Sequence, residues 1–269
     1  TARRFDKKIT REVADTHRTT EIAGRYNKNL LPVDAPQYKA ILTAAGTARA
    51  VHYQQTLPWS DDGMRILPAM NYLRYMDSMR PERIKFNVAV QDFITDYPAL
   101  KAAALAKLNG MGNPDDYPET SDMHKYFAFG TKVLPFPDAA DFRVELADTD
   151  VAEITASIEA QTAEALKIAM TDPYKRLLDA VSRMATKLAD SDAIFRDSLV
   201  ENLDELCTVV PGLNLTGDPT LTAFVDEIKS TLTVHSPDTL RHSKTTRQSL
   251  ANKAKEIEKN LAGYVGQAS

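Results

Sequence analysis

Apolar residues recur every three or four positions along most of the chain, and this spacing predicts amphipathic α-helices. It predicts one long helix or two short ones over residues 3–28, and a second helix over residues 38–55. Pro81 is suited to the first position of a further helix, because proline lacks the amide hydrogen that a first helical residue leaves unpaired. Three apolar stripes in the C-terminal half predict a helical bundle, and they span residues 177–188, 195–210 and 221–232.

Three residue pairs place a helix-capping side chain directly before a proline. An Asp or Ser side chain accepts a hydrogen bond from the first turn of a helix, and the proline that follows fits the first helical position. A helix is therefore predicted to begin at the proline of each pair. The pairs are Asp172-Pro173, Asp218-Pro219 and Ser236-Pro237.

The segment 126–147 is the one stretch patterned for strands rather than helices. In its second half Phe142, Val144 and Leu146 alternate with polar residues, which is the period of a strand with one solvated face. Helices have to cover such a ribbon, because two strands alone are only marginally stable. The first half of the segment is aromatic and β-branched, through Phe127, Phe129, Lys132, Val133 and Leu134.

The predicted fold class is α+β and predominantly helical. It combines N-terminal helices, a small antiparallel β-ribbon near 126–147 and a C-terminal helical bundle. Two domains are predicted, residues 1–147 and 148–269, with one continuous domain as the alternative. A chain of 269 residues is long enough to bury a stable core without disulfides or metals.

Charge is distributed unevenly along the chain, although the net charge is only −4. Residues 1–55 carry ten Lys/Arg against five Asp/Glu, and residues 228–269 carry seven against three. Residues 137–227 carry seven against nineteen, so basic ends flank an acidic middle. This layout indicates a polyanion-binding surface at the ends, head-to-tail pairing between copies, or an ordinary solvated surface with patchy charge.

Sequence motifs of common enzymes are missing. The chain has no GxxxxGK[ST] phosphate loop, no GxGxxG after a strand and no GxSxG nucleophile elbow. Cys207 is the single cysteine, which excludes an internal disulfide, and its place near an apolar stripe predicts a packed core thiol. The five histidines lack metal-ligand spacing, and the pair Asp115-Asp116 is predicted to be turn residues. We therefore predict no enzyme activity, no cofactor and no metal.

Two segments are similar to an uncharacterised family found in bacteriophage and bacterial genomes. They read LPW…G.R.LP over residues 57–68 and DYP…F.F…P.P…DFRV over residues 116–144, and the similarity spans roughly residues 55–150. The resemblance carries no known activity. It implies a phage or prophage setting, in which proteins of this size serve replication and recombination, including single-strand binding and annealing.

These observations predict a non-enzymatic protein that binds or anneals single-stranded nucleic acid as a homo-oligomer. Cations and donors contact phosphate, and aromatic faces stack on bases, for which Phe5, Tyr26 and Trp59 are the candidates. The alternative is an assembly subunit whose basic termini pair with the acidic middle of a neighbouring copy. No membrane partner is predicted, since no apolar stretch approaches the roughly 20 residues of a spanning helix, and a cytoplasmic location is expected. The predicted binding residues are Arg3, Arg4, Lys7, Lys8, Arg11, Arg18, Arg25, Tyr26, Lys28, Arg241, Lys244 and Arg247.

Overall fold

A computed structural model describes residues 3–32, 35–59, 63–135, 148–190 and 196–268, and most of these are helical. The predicted class, predominantly helical α+β, is confirmed. Within the described ranges, no helix combines the length and apolar character needed to cross a membrane. The α-helices are α1 (Lys7–Thr16), α2 (Pro36–Gln54), α3 (Tyr72–Leu108), α4 (Asp148–Ala189), α5 (Ser198–Val209), α6 (Pro219–Leu232), α7 (Pro237–His242) and α8 (Lys244–Ala268).

The strands form two short antiparallel pairs. Strand β1 (Arg3–Phe5) pairs with β2 (Asn27–Asn29), and β3 (Leu57–Pro58) pairs with β4 (Arg65–Ile66). Neither pair lies in the segment where the sequence pattern places a ribbon.

The chain forms two compact units that alternate along the sequence. The N-terminal unit consists of Thr1–Val51 and Asp77–Lys132, and the C-terminal unit consists of His52–Met76 and Val133–Ser269. The predicted division places residues 52–76 with the N-terminal half, whereas they belong to the C-terminal unit. The predicted boundary at 147 adjoins residues 136–147, which lie outside the described residues.

The core of the N-terminal unit joins α2 to α3. Phe93 is 1% exposed, and its ring lies 6.0 Å from that of Tyr38 and 5.7 Å from that of Tyr97. Phe127 and Phe129 complete this core by packing against α3.

The first strand of the predicted ribbon is not present. Residues 127–135 contain no strand, and Phe127 and Phe129 pack against Phe93 and Phe86 with ring centroids 5.7 and 5.6 Å apart. Alternate residues face the core here because the segment is extended over a helix, and this has the same period of two as a paired strand. The second predicted strand, with Phe142, falls outside the described residues.

Prolines do not divide the helices as predicted. Pro81 and Pro98 lie inside α3, and Pro173 lies inside α4. Each removes one backbone hydrogen bond, but the buried face continues across it, as Met79 and Phe86 show on either side of Pro81. Packing of the flanking turns therefore outweighs the missing bond.

The predicted C-terminal bundle is confirmed, with α4, α5, α6 and α8 around one core. Asp218 accepts a hydrogen bond from the Thr220 amide and Ser236 from the Thr239 amide, so helices begin at the prolines after these two caps, as predicted. Cys207 is fully buried in this core, and burial raises the pKa of its thiol to about 12. It is a packed thiol, as predicted.

Gly212 allows a close contact in the C-terminal unit. A Cβ at this position would lie 2.1 Å from Asn71 Oδ1, and Asn71 is itself only 5% exposed. Gly212→Ala is therefore expected to destabilise the protein by about 1–3 kcal/mol, because the buried Asn71 side chain would have to shift to make room for the added methyl group. Chemical denaturation followed by circular dichroism measures this.

The matched control is Gly263→Ala in α8, where no atom lies within 4 Å of the added Cβ. It is expected to be neutral or stabilising by about 0.5–1 kcal/mol, since Ala favours a helix interior over Gly. Equal stability of the two variants would contradict the expected clash.

Candidate nucleic-acid interface

The predicted N-terminal cations lie in a small module, residues 3–29, which we call the N-terminal module. Its helix α1 begins at Lys7 because the Asp6 carboxylate accepts a hydrogen bond from the Ile9 amide at 3.1 Å. The helix ends before Arg18, whose φ of 51° is in the left-handed region. The fold differs from the predicted helices over 3–28, because both ends of this stretch pair as strands β1 and β2.

The pairing of β1 with β2 sorts the cations onto two faces. Arg4 lies opposite Lys28 in the register, while Arg3 and Phe5 lie opposite Asn29 and Asn27. Successive side chains of a strand point to opposite faces. Arg4 and Lys28 therefore share one face, and Arg3 and Phe5 share the other.

The face with Arg4 and Lys28 is tied to the rest of the N-terminal unit by the Asp116 carboxylate and the Met111 carbonyl oxygen, while Asp6 pairs with Lys28 from within the module. The Lys28 ammonium lies 2.6 Å from Asp116 Oδ2 and 3.0 Å from Asp6 Oδ2, and it donates to the Met111 carbonyl oxygen at 3.2 Å. The other oxygen of Asp116 lies 3.1 Å from Arg4 Nε. Two cations and two anions thus form a neutral network, which we call the Lys28 network.

Burial makes the charge pairing of Lys28 essential. Lys28 is 7% exposed, and three oxygen atoms lie within 3.2 Å of its ammonium nitrogen. Burial lowers the pKa of Lys28, but hydrogen bonds to Asp116 and Asp6 outweigh this, so the pKa lies above its ordinary value. The Ile9 amide and Lys28 hold the pKa of Asp6 below its ordinary value. Lys28 is therefore a structural residue, and its side chain is not accessible for the nucleic-acid contact that the sequence predicted for it.

The opposite face carries exposed aromatic and cationic groups. Phe5 is 42% exposed, and the Arg25 guanidinium lies over its ring, 5.3 Å from the centroid. Tyr26 is 37% exposed but lies on the Lys28 side, where its hydroxyl is 3.8 Å from Met111 Sδ. Arg3 is exposed and donates to Asn29 Oδ1 at 3.2 Å. Planar groups and positive charge therefore occur together at the surface.

Helix α1 and the loop after it add four more exposed cations, which differ in their pairing. Arg11 lies 3.0 Å from Glu21, whose hydrogen bond raises the pKa of the guanidinium. Lys8 lies 3.9 Å from Glu12, at the limit of an ion pair. Lys7 and Arg18 make no side-chain hydrogen bond or ion pair with any described residue.

The predicted C-terminal cations lie in the other unit and are not part of this module. Arg241 in α7 forms an ion pair with Asp197, and Arg247 in α8 is half-buried. Lys244 is exposed at the start of α8. Trp59, the third candidate for stacking, is half-buried in the C-terminal unit.

Sequence reasoning missed the roles of Asp6 and Asp116. The predicted turn at Asp115-Asp116 is confirmed, since a 3-10 turn spans Pro114–Asp116 and Asn113 Oδ1 accepts from the Asp115 amide. Nothing local to this turn indicates that Asp116 pairs with residues near the start of the chain. The buried Lys28 has no local signal either, because its neighbours in sequence are polar.

No family model, curated protein or solved structure matches this chain. The resemblance to an uncharacterised phage family stays a prediction. Function is therefore inferred from the charges and exposed rings of the N-terminal module.

Proposed function

We propose that the protein binds single-stranded nucleic acid through the face of the N-terminal module that carries Arg3, Phe5 and Arg25, without catalysing a reaction. The pair formed by Phe5 and Arg25 carries this proposal, because a flat ring and a guanidinium are exposed together. The same module carries the exposed Lys7, which has no ion-pair partner among the described residues. Binding to phosphate alone needs only cations, whereas single strands also present bases that stack on aromatic and guanidinium planes. Tyr26, on the other face, is a separate candidate for stacking.

The balance of charge between the units supports the choice of this surface. The N-terminal unit carries 17 Lys/Arg against 13 Asp/Glu, and the C-terminal unit carries 16 against 24. The cation excess therefore belongs to the unit that holds the module. Because the excess is small, we expect weak, reversible binding with the modest salt dependence of a few phosphate contacts.

The proposed setting is replication or recombination of a phage-type genome in the host cytoplasm, as the resemblance implies. Several copies bound along one strand would hold its bases open for pairing with a complementary strand. The proposal therefore includes a homo-oligomer, and mass measurement with and without an oligonucleotide tests that part.

A second candidate function is supported by the acidic excess of the C-terminal unit. In it the module of one copy binds the acidic surface of another, giving an assembly subunit held by charge. High salt would then dissociate the oligomer without any nucleic acid present.

Titration of a fluorescent oligothymidylate at two salt concentrations tests nucleic-acid binding. If three phosphates are contacted, affinity is expected to fall about 20-fold between roughly 50 and 200 mM salt, following the counterion-release slope for single strands. No salt-sensitive binding at micromolar protein would exclude the proposed function. Salt-sensitive self-association alone would favour the assembly subunit.

Two variants identify the surface in the same titration. Lys7→Glu with Lys8→Glu is expected to weaken binding and flatten the salt dependence, and Phe5→Ala is expected to weaken binding about 5- to 150-fold through lost stacking. Unfolding temperatures should stay nearly unchanged, because these side chains are exposed. The matched control is Lys39→Glu with Arg49→Glu, two exposed residues of α2 in the same unit.

A further inference from the structure

A groove between α4 and α5 in the C-terminal unit is lined by cations, although the unit as a whole is acidic. Its volume is about 660 Å³, and Arg183, Lys187 and Arg196 line it together with Ser198 and Asn202. Among the residues that the structure describes, no Asp or Glu lines this groove. The volume is within the range of roughly 300–1,000 Å³ that is typical of small-molecule sites.

Helical spacing brings these side chains together. Arg183 and Lys187 are four residues apart on α4, so they lie on one face, one turn from each other. Ser198 and Asn202 have the same spacing on α5, and they add a hydroxyl and an amide donor. Arg196 precedes α5 and supplies the third cation. Two helices and the residue Arg196 thus present five hydrogen-bonding side chains to one groove.

The three cations lack partners in the part of the chain that the structure describes. Arg183, Lys187 and Arg196 make no ion pair and no side-chain hydrogen bond there. Other arginines of the same unit are paired, since Arg176 binds Asp172 and Arg241 binds Asp197. Like charges that share a groove repel one another, and a bound anion removes this repulsion.

The two ends of the groove differ in charge, because the cavity that adjoins one end is lined by carboxylates. An adjoining cavity of about 300 Å³ is lined by Arg176, Asp179, Arg183 and Glu205. Asp179 and Glu205 would repel an anion at that end. The favourable place for an anionic group is therefore between Arg183, Lys187 and Arg196.

We propose that this groove binds the phosphate group of a phosphorylated ligand. Arg183 and Arg196 would grip the phosphate oxygens with planar guanidinium forks, and Lys187 would add charge. Ala180 and Leu199 supply apolar lining for the remainder of the ligand. The phosphate belongs either to a free nucleotide or to the backbone of a single strand. This proposal does not depend on nucleic-acid binding by the N-terminal module, because the groove lies in the other unit.

Calorimetric titration of the full chain with pyrophosphate, with a thymidine nucleotide and with an oligothymidylate tests this proposal. The protein carries Lys7→Glu and Lys8→Glu throughout, so that binding by the N-terminal module is weakened and is the same in every variant compared. Arg183→Gln with Lys187→Gln is expected to weaken binding about ten- to a hundredfold, as loss of hydrogen bonds to a charged group does. The matched control, Lys253→Gln with Lys255→Gln on α8, should leave it unchanged; both lysines are exposed.

The three probes separate the two sources of phosphate. Binding of pyrophosphate or the nucleotide that depends on Arg183 and Lys187 supports a free phosphorylated ligand. Binding of the oligothymidylate alone, with the same dependence, supports a single-strand backbone. Binding of none of the probes, or equal binding by the groove variant and its control, would overturn the site. Circular dichroism of both variants confirms that the exposed substitutions leave the fold intact.

Discussion

Replacing Lys28 with Met is expected to destabilise the N-terminal unit by about 3–5 kcal/mol, as removal of one partner from a buried ion pair does. The change leaves the Asp6 and Asp116 carboxylates facing an apolar side chain, with side-chain exposures of 14% and 8%. It also leaves the Met111 carbonyl oxygen without its donor. Met keeps most of the volume of Lys, so the effect reports charge and hydrogen bonding rather than a cavity.

Amide hydrogen exchange locates the effect, since thermal unfolding of the whole chain averages over both units. Protection is expected to fall in residues 3–29, which the Lys28 network attaches to the turn at Pro114–Asp116, and to persist in α8. Lys7→Met is the control, because Lys7 is exposed on the same module. Adding Asp6→Asn to Lys28→Met should restore part of the stability, because it removes the carboxylate left without a cation and Asn still caps α1. An unchanged exchange pattern in Lys28→Met would show that the network does not hold the module.

Arg176→Met is expected to destabilise the C-terminal unit by about 2–4 kcal/mol. The Arg176 guanidinium donates to the carbonyl oxygens of Gln54 and Thr56, both at 2.7 Å, and lies 2.6 Å from Asp172. Arg65 also donates to the Thr56 carbonyl oxygen, at 2.9 Å. Because Arg65 still donates to Thr56, the substitution mainly leaves the Gln54 carbonyl oxygen at the end of α2 and the Asp172 carboxylate without the Arg176 donor.

Denaturation followed by Trp59 fluorescence measures the effect of Arg176→Met close to Thr56, because Trp59 is the only tryptophan. Lys175→Met serves as the control, since Lys175 is exposed on the same turn of α4. Arg176→Lys should recover only part of the loss, because a single ammonium does not replace a planar fork that binds three groups at once. Equal stability of the Arg176 and Lys175 variants would show that these hydrogen bonds are not required.

Local patterns predicted the fold where a local interaction decides it. Asp218 and Ser236 cap α6 and α7 through amides two or three residues away, and that distance is visible in the sequence. Sequence patterns gave wrong predictions where packing between residues far apart in the sequence determines the structure. Pro81 and Pro173 look like helix starts, but buried faces carry α3 and α4 through them. Phe127 has the alternation of a strand, yet its partner is a helix.

The candidate sites show the same division. Composition indicated the basic start of the chain, but it did not distinguish the buried Lys28 from the exposed Arg25, because Asp116 makes that distinction from far along the sequence. The spacing of Arg183 and Lys187 was visible as a helical pair within an acidic segment. Only the packing of α5 beside α4 adds Arg196 and turns the pair into a groove.

Because the two units alternate along the chain, neither the nascent chain nor an N-terminal fragment can complete the N-terminal unit without also containing residues 52–76 of the C-terminal unit. The N-terminal unit is complete only once Lys132 has left the ribosome, and by then residues 52–76 have emerged without the helices that bury them. Leu57, fully buried against Ala169, Val209 and Leu213, is then exposed. A fragment ending at Lys132 would also contain β3 and β4 without the helices that cover them. The nascent chain and the fragment therefore share one aggregation-prone surface.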